Sequence, residues 1–200
     1  MRLTILDRGQ RLRARVFIRA VKAIAGGEPD DVAKTSMYRP DFFGRAWLAY
    51  AREVLRGPSE WTAGEREIMA AFVSRLNACV YCIGMHTGTA TIARGSPITV
   101  DMLDDYRAGW FDQRLTATLA FLERHQRDPN GLSAADVDVA RMAGVSDAAI
   151  EDALYVAFLF NLINRAADAF GYSFGDEDGR LAQARALHRI GYRLPGFLLA

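Results

Sequence analysis

The stretch from Thr62 to Arg94, TAGEREIMAAFVSRLNACVYCIGMHTGTATIAR, constrains this chain more than any other part of it. Thr62 and Glu65 have the spacing of a capping box, in which hydroxyl and carboxylate satisfy the free amides of a helix's first turn. Ile68, Met69, Phe72, Val73 and Leu76 then recur at helical spacing. Asn77 is the expected break, because Asn tolerates the left-handed backbone that ends helices. A second helix is predicted from about Cys79 to Arg94, with Gly95-Ser96-Pro97 after it. The stretch thus predicts a helix hairpin. It also holds both cysteines of the chain, Cys79 and Cys82, together with Glu67 and His86, one of three histidines.

No segment alternates convincingly at period two, so the whole chain is predicted to be all-α. A helix is expected over 7–25, with Leu12, Val16, Phe17, Ala20, Val21 and Ile24 as its apolar face. Arg8, Arg11, Arg15, Arg19 and Lys22 lie off that face, and Arg13 and Ile18 break the pattern. Gly26, Gly27 and Pro29 should stop it. Residues 1–29 then form an N-terminal helical arm and 30–200 a helical domain. Residues 30–37 read as a linker or a turn of helix. A helix beginning near Pro40 carries Phe42, Phe43, Trp47, Leu48 and Tyr50, which suit either a core face or the wall of an apolar pocket. Further helices are expected at 99–107, at 107–129, after Ser133, from Ser146 to Gly171, and at 178–190. Asp128-Pro129-Asn130-Gly131 is a turn signal between two of them. The tail GFLLA is apolar and suits docking on a neighbouring subunit or on its own domain. The segments 62–77 and 146–161 share their length, an opening cap residue, a Glu at the sixth position and a closing Asn, a faint internal echo.

Two hundred residues suit one domain and can bury a substantial core. The net charge of +1 gives no field that would favour nucleic acid or a membrane surface. The apolar run from Leu154 to Ile163 is shorter than the ~18 residues a membrane helix needs. The N-terminus lacks the uninterrupted apolar run of a signal peptide. The expected location is cytoplasmic. In that compartment a single C-x-x-C pair points to redox or metal chemistry more than to a structural staple.

The spacing explains what chemistry is on offer. Cys79 lies at the start of the second helix, where free amides stabilise a thiolate, and Cys82 follows one turn later. That places the sulfurs on neighbouring positions, within reach of a disulfide. His86, four residues after Cys82, shares its face and can take a thiol proton. If the hairpin closes, Glu67 can reach His86 directly or through water and orient it. A nucleophile, a second thiol, a base and an orienting carboxylate suit thiol-based peroxide reduction, in which a sulfenic acid condenses to a disulfide. Asn164, Arg165 and Asp168 lie on one helix, and Asn164 and Asp168 on one face. They suit a buried polar network more than a site. His125 and His188 sit in charged segments and read as solvated.

The register E-x11-C-x2-C-x3-H resembles that of the carboxymuconolactone decarboxylase / alkylhydroperoxidase AhpD-like family, in its peroxidase-related branch. The run from Asn161 to Gly171, NLINRAADAFG, resembles the N-x-x-N-R-x-A-D-A-x-G of the same branch. The resemblance implies an AhpD-like helical bundle whose central hairpin carries the C-x-x-C motif, assembled as a homo-oligomer. It implies Cys82 as the peroxidatic cysteine, Cys79 as the resolving one, and Glu67 and His86 as a proton relay. It also implies hydroperoxide substrates and an external dithiol or thioredoxin-like reductant, without a cofactor. Peroxidases of the family have a second histidine immediately before the latter cysteine. Here Tyr81 stands there, and a phenol titrates near ~10 rather than ~6.5. The decarboxylase branch lacks the cysteine pair, so decarboxylation is disfavoured. Two other readings stay open: a dithiol that senses oxidants without fast turnover, and a non-catalytic helical oligomer with a structural or metal-bound Cys pair.

Overall fold

The computed structural model describes residues 1–25 and 27–200. The expected helix stop at Gly26 lies outside the described residues. Among these the chain is all-α: α1 Ile5–Arg8, α2 Leu12–Ala25, α3 Asp31–Tyr38, α4 Arg45–Arg56, α5 Ala63–Leu76 and α6 Val80–Arg94. Then follow α7 Val100–Asp104, α8 Gln113–Arg127, α9 Ala134–Met142, α10 Asp147–Phe170 and α11 Glu177–Ile190. A π-helical turn, Pro40–Gly44, leads into α4, and short 3₁₀ turns occupy Pro129–Gly131 and Gly196–Leu198.

The fold is built around α5. Every residue from Arg66 to Ser74 is buried, polar ones included. A helix buried all round is a central helix, not a surface one. It packs against α6 along the hairpin, and α10 covers another side; α6 in turn carries α11. The capping box at its start is formed: Glu65 N donates to Thr62 Oγ1 at 3.2 Å, and Thr62 N donates to Glu65 Oε2 at 2.7 Å. Trp61, 2% exposed, ties this start to α10 by donating from Nε1 to the carbonyl of Ala149 at 2.8 Å. Buried Arg66 donates to the carbonyls of Val54 and Gly57 at 3.0 and 2.9 Å. Those carbonyls have no helical partner at the end of α4, so Arg66 closes that helix from outside.

The hairpin turn differs from expectation. Asn77 keeps a right-handed backbone, and Ala78 takes the left-handed one at φ 57°. Asn77 is held by its side chain instead. Its Nδ2 donates to Asn161 Oδ1 and Asn164 Oδ1, each at 2.9 Å, and its Oδ1 accepts from Gln126 Nε2 at 2.6 Å. Asn164 Nδ2 donates to Ser74 Oγ at 3.0 Å. This network pins the turn to α8 and α10.

The N-terminal segment also differs. A break at Gly9 and Gln10 divides the expected 7–25 helix into α1 and α2. Leu12, Val16 and Ile24 of the expected apolar face are exposed. Ala14 is buried instead, and it packs with Met37 of α3 and Leu198 of the tail, with Phe17 and Ile18 alongside. The reason is that only the side of α2 facing α3 and the tail finds a partner within this chain. The tail therefore docks on its own domain through Leu198, while Phe197 stays exposed. Residues 31–38 are a helix, not a linker. Residues 107–112 lie outside α8, whose cap is Asp112, accepting from Leu115 N at 2.8 Å. The echo between 62–77 and 146–161 extends to capped helix starts only, since α10 runs on to Phe170. No helix of the described residues is long and apolar enough to cross a membrane.

Candidate active site

Closing the hairpin sets α6 beside α5 and brings Glu67 to His86. The contact is direct, with Glu67 Oε2 2.6 Å from His86 Nδ1. A carboxylate accepts, so Nδ1 carries the proton and Nε2 is left as the basic nitrogen. The ring is held a second time by Phe160 of α10, edge to face at 4.6 Å. Glu67 is 0% exposed, and a bare carboxylate there would be costly. Its other oxygen accepts from Arg56 Nη2 at 2.6 Å and from the Tyr192 hydroxyl at 2.8 Å. Burial alone would raise the Glu67 carboxyl. The His86 and Arg56 contacts outweigh it and hold the group below its usual range, so it is ionised. The Tyr192 phenol is pushed far up by its own burial and by that carboxylate, and stays a donor.

Arg56 and Tyr192 escaped the sequence reading. Tyr192 lies 125 positions from Glu67 and carries no local signal. The available clue was a carboxylate inside an apolar helix, which requires a charged partner from elsewhere.

Cys79 is the N-cap of α6 and Cys82 sits in its first turn, as expected of a dithiol at a helix start. Both are unbridged and buried, at 0% and 2% exposure. The Cys82 thiol at its side lowers the Cys79 pKa, with burial opposing. Cys82 is raised by Cys79 and by burial, against a contact from Asn164 that lowers it. The pair therefore gives up its first proton more easily than its second. The lowered thiol is the one expected to resolve, not the one expected to attack.

Geometry separates the two differently. A partly open cavity of about 50 Å³ is lined by Cys82, His86 and Tyr81, but not by Cys79. Its walls are apolar and include Trp47, Leu48, Leu159 and Phe160. Of the aromatic segment, Trp47 therefore does wall a pocket, whereas Phe42 is exposed. A water needs about 10–15 Å³ of such space, so the cavity admits a small polar head on a short apolar stem. Of the other residues singled out, Asn164 is buried in the turn network, Asp168 borders Cys79 from an exposed position, and Arg165 faces outward. His188 is exposed and His125 half-buried, away from the cavity. Among the described residues no group of three or more His, Cys, Asp and Glu side chains is arranged to hold a metal ion.

Comparison with known proteins bears on the family and the fold. The carboxymuconolactone decarboxylase family model matches residues 42–124. An uncharacterised peroxidase-related protein from Silicibacter sp. TM1040 is 28% identical, with a TM-score of 0.70 over 80% of this chain and 84% of that one. A second solved structure, from Ralstonia eutropha JMP134, is described as an alkylhydroperoxidase AhpD core and an uncharacterised peroxidase-related protein. It is 26% identical, with a TM-score of 0.72 over 88% of this chain and 92% of that one. Over residues 42–124 the chain is thus similar to the carboxymuconolactone decarboxylase family, and its all-α fold matches those AhpD-like, peroxidase-related structures. A search of the curated proteins finds no match. The family match spans Arg56, Glu67, Cys79, Tyr81, Cys82 and His86, and Tyr192 falls outside it. The bundle is thus AhpD-like, and in this chain a tyrosine from the last segment reaches the buried Glu67 carboxylate.

Proposed function

We propose that this AhpD-like protein is a thiol peroxidase that reduces hydroperoxides through Cys82 and Cys79. The observation carrying the reading is that Cys82 and His86 line one largely apolar cavity while buried Glu67 holds the His86 ring. His86 Nε2 takes the Cys82 proton. The thiolate attacks the terminal oxygen of the hydroperoxide, the O–O bond breaks, and Cys82 becomes a sulfenic acid. The departing alkoxide takes the proton back from His86 as an alcohol. Cys79, the more easily deprotonated partner, then attacks the Cys82 sulfur and displaces hydroxide, which leaves as water. An external dithiol or a thioredoxin-like protein restores the pair.

The test is a thiol titration before and after one equivalent of cumene hydroperoxide, followed by steady-state consumption with several dithiol reductants. Loss of two thiols per chain and sustained turnover are expected, both abolished in Cys82→Ser. Cys79→Ser should stop at a sulfenic acid that dimedone traps. Unchanged thiols would refute the reading. Oxidation without turnover under every reductant would leave a sensor.

A further inference from the structure

Tyr81 holds the one position where this chain departs from the family's relay, and its surroundings suit a different role. It is 5% exposed, and its hydroxyl, which has the Asp31 backbone N–H beside it, donates to no acceptor among the described residues. A buried hydroxyl whose proton finds no acceptor is costly, so its presence calls for a ligand that accepts from it. The ring is fixed from two sides. Phe174 stacks on it at 4.6 Å and 17°, and Tyr172 meets it edge-on at 5.5 Å. Tyr81 lines the same cavity as Cys82 and His86.

We propose that the Tyr81 hydroxyl is a catalytic hydrogen-bond donor to the alkoxide oxygen that leaves when Cys82 attacks a hydroperoxide. The proposal rests on the peroxidase reading and specifies one of its residues. As the O–O bond breaks, its electron pair goes to the departing oxygen, which becomes RO⁻. Tyr81 stabilises that charge through its O–H and keeps its own proton. The proton that completes the alcohol is the one His86 took from Cys82. Atoms and charge balance without a further reactant. Burial, and the Asp30 and Asp31 carboxylates nearby, push the phenol well above its usual range, so it acts as a fixed neutral donor and not as a titrating relay. A preorganised donor in a water-poor cavity is worth most where charge develops. Alkoxides are poor leaving groups and need it. Acetate, the leaving group from peracetic acid, does not.

The experiment compares wild type with Tyr81→Phe, which removes only the hydroxyl. The rate of Cys82 oxidation is followed by stopped flow with ethyl hydroperoxide, tert-butyl hydroperoxide and peracetic acid. The expected result is a loss of about 100-fold with the alkyl hydroperoxides, in the range of a deleted oxyanion donor, and a near-unchanged rate with peracetic acid. Equal loss with all three would make Tyr81 a packing residue and overturn the proposal. So would equal rates for both proteins. A wild type unreactive with every peroxide would overturn the peroxidase reading itself, which separates the two failures.

Discussion

Replacing Tyr192 with Phe isolates one hydrogen bond of the buried cluster. The ring survives, and so does the Arg56 guanidinium above it, 5.0 Å from its centroid. What is lost is the O–H donated to Glu67 Oε1 at 2.8 Å. A hydrogen bond to a charged group contributes about 1.5–3 kcal/mol, and both partners here are nine-tenths buried or more, so little water replaces it. For a chain of this size each kcal/mol moves the melting temperature by about 2–4 °C, so the variant should melt about 3–12 °C lower. The pH dependence follows from the carboxyl group. In the fold Glu67 sits below its ordinary value of 4.5, so its stabilisation is present above that pH and fades as pH falls through the folded value. Without the Tyr192 donor the folded value rises, and acid unfolding of the variant begins at higher pH. Denaturant unfolding at about pH 7 and at a pH below the folded value should therefore give the full penalty at the first, and about 1 kcal/mol or less at the second, where the carboxyl accepts as a neutral group. An equal penalty at both pH values, or none at neutral pH, would refute the reasoning.

Ala78→Gly should stabilise the protein by about 1 kcal/mol, because Ala78 is left-handed at φ 57° and pays a penalty that glycine does not. A lower unfolding midpoint would contradict this. At Gly88 α6 lies close against α11: a Cβ there would meet Ala184 Cβ at 3.0 Å. Gly88→Val should cost about 1–3 kcal/mol by overpacking, read by thermal melting, and an unchanged melt would mean that α11 is free to shift.

How much was legible depended on the range of the interaction. Thr62 and Glu65 meet within one helical turn, so the start of α5 could be read directly and is formed as read. Ser146 and Gly171 bound α10 for the same reason. The hairpin turn was placed correctly but assigned the wrong device. Asn77 has a local propensity for the left-handed region, yet Gln126, Asn161 and Asn164 offered its side chain partners from two other helices. Ala78 then took the strained conformation. The arm failed in a related way. Its apolar periodicity was real, but periodicity cannot say whether a partner surface exists, and Leu12, Val16 and Ile24 have none within this chain.

By itself the sequence determined the all-α class, the hairpin, and the one-turn steps that put Cys79, Cys82 and His86 along α6, since each is fixed by helical geometry over a few residues. Only the tertiary structure decided which atoms meet. It closed α5 on α6 so that Glu67 touches His86, and supplied Arg56 and Tyr192 to keep the buried carboxylate charged. It also set Cys82, and not Cys79, on the cavity, and left the Tyr81 hydroxyl there without an acceptor among the described residues. Burial and long-range pairing depend on what other segments bring to the same point in space, and no local pattern encodes that.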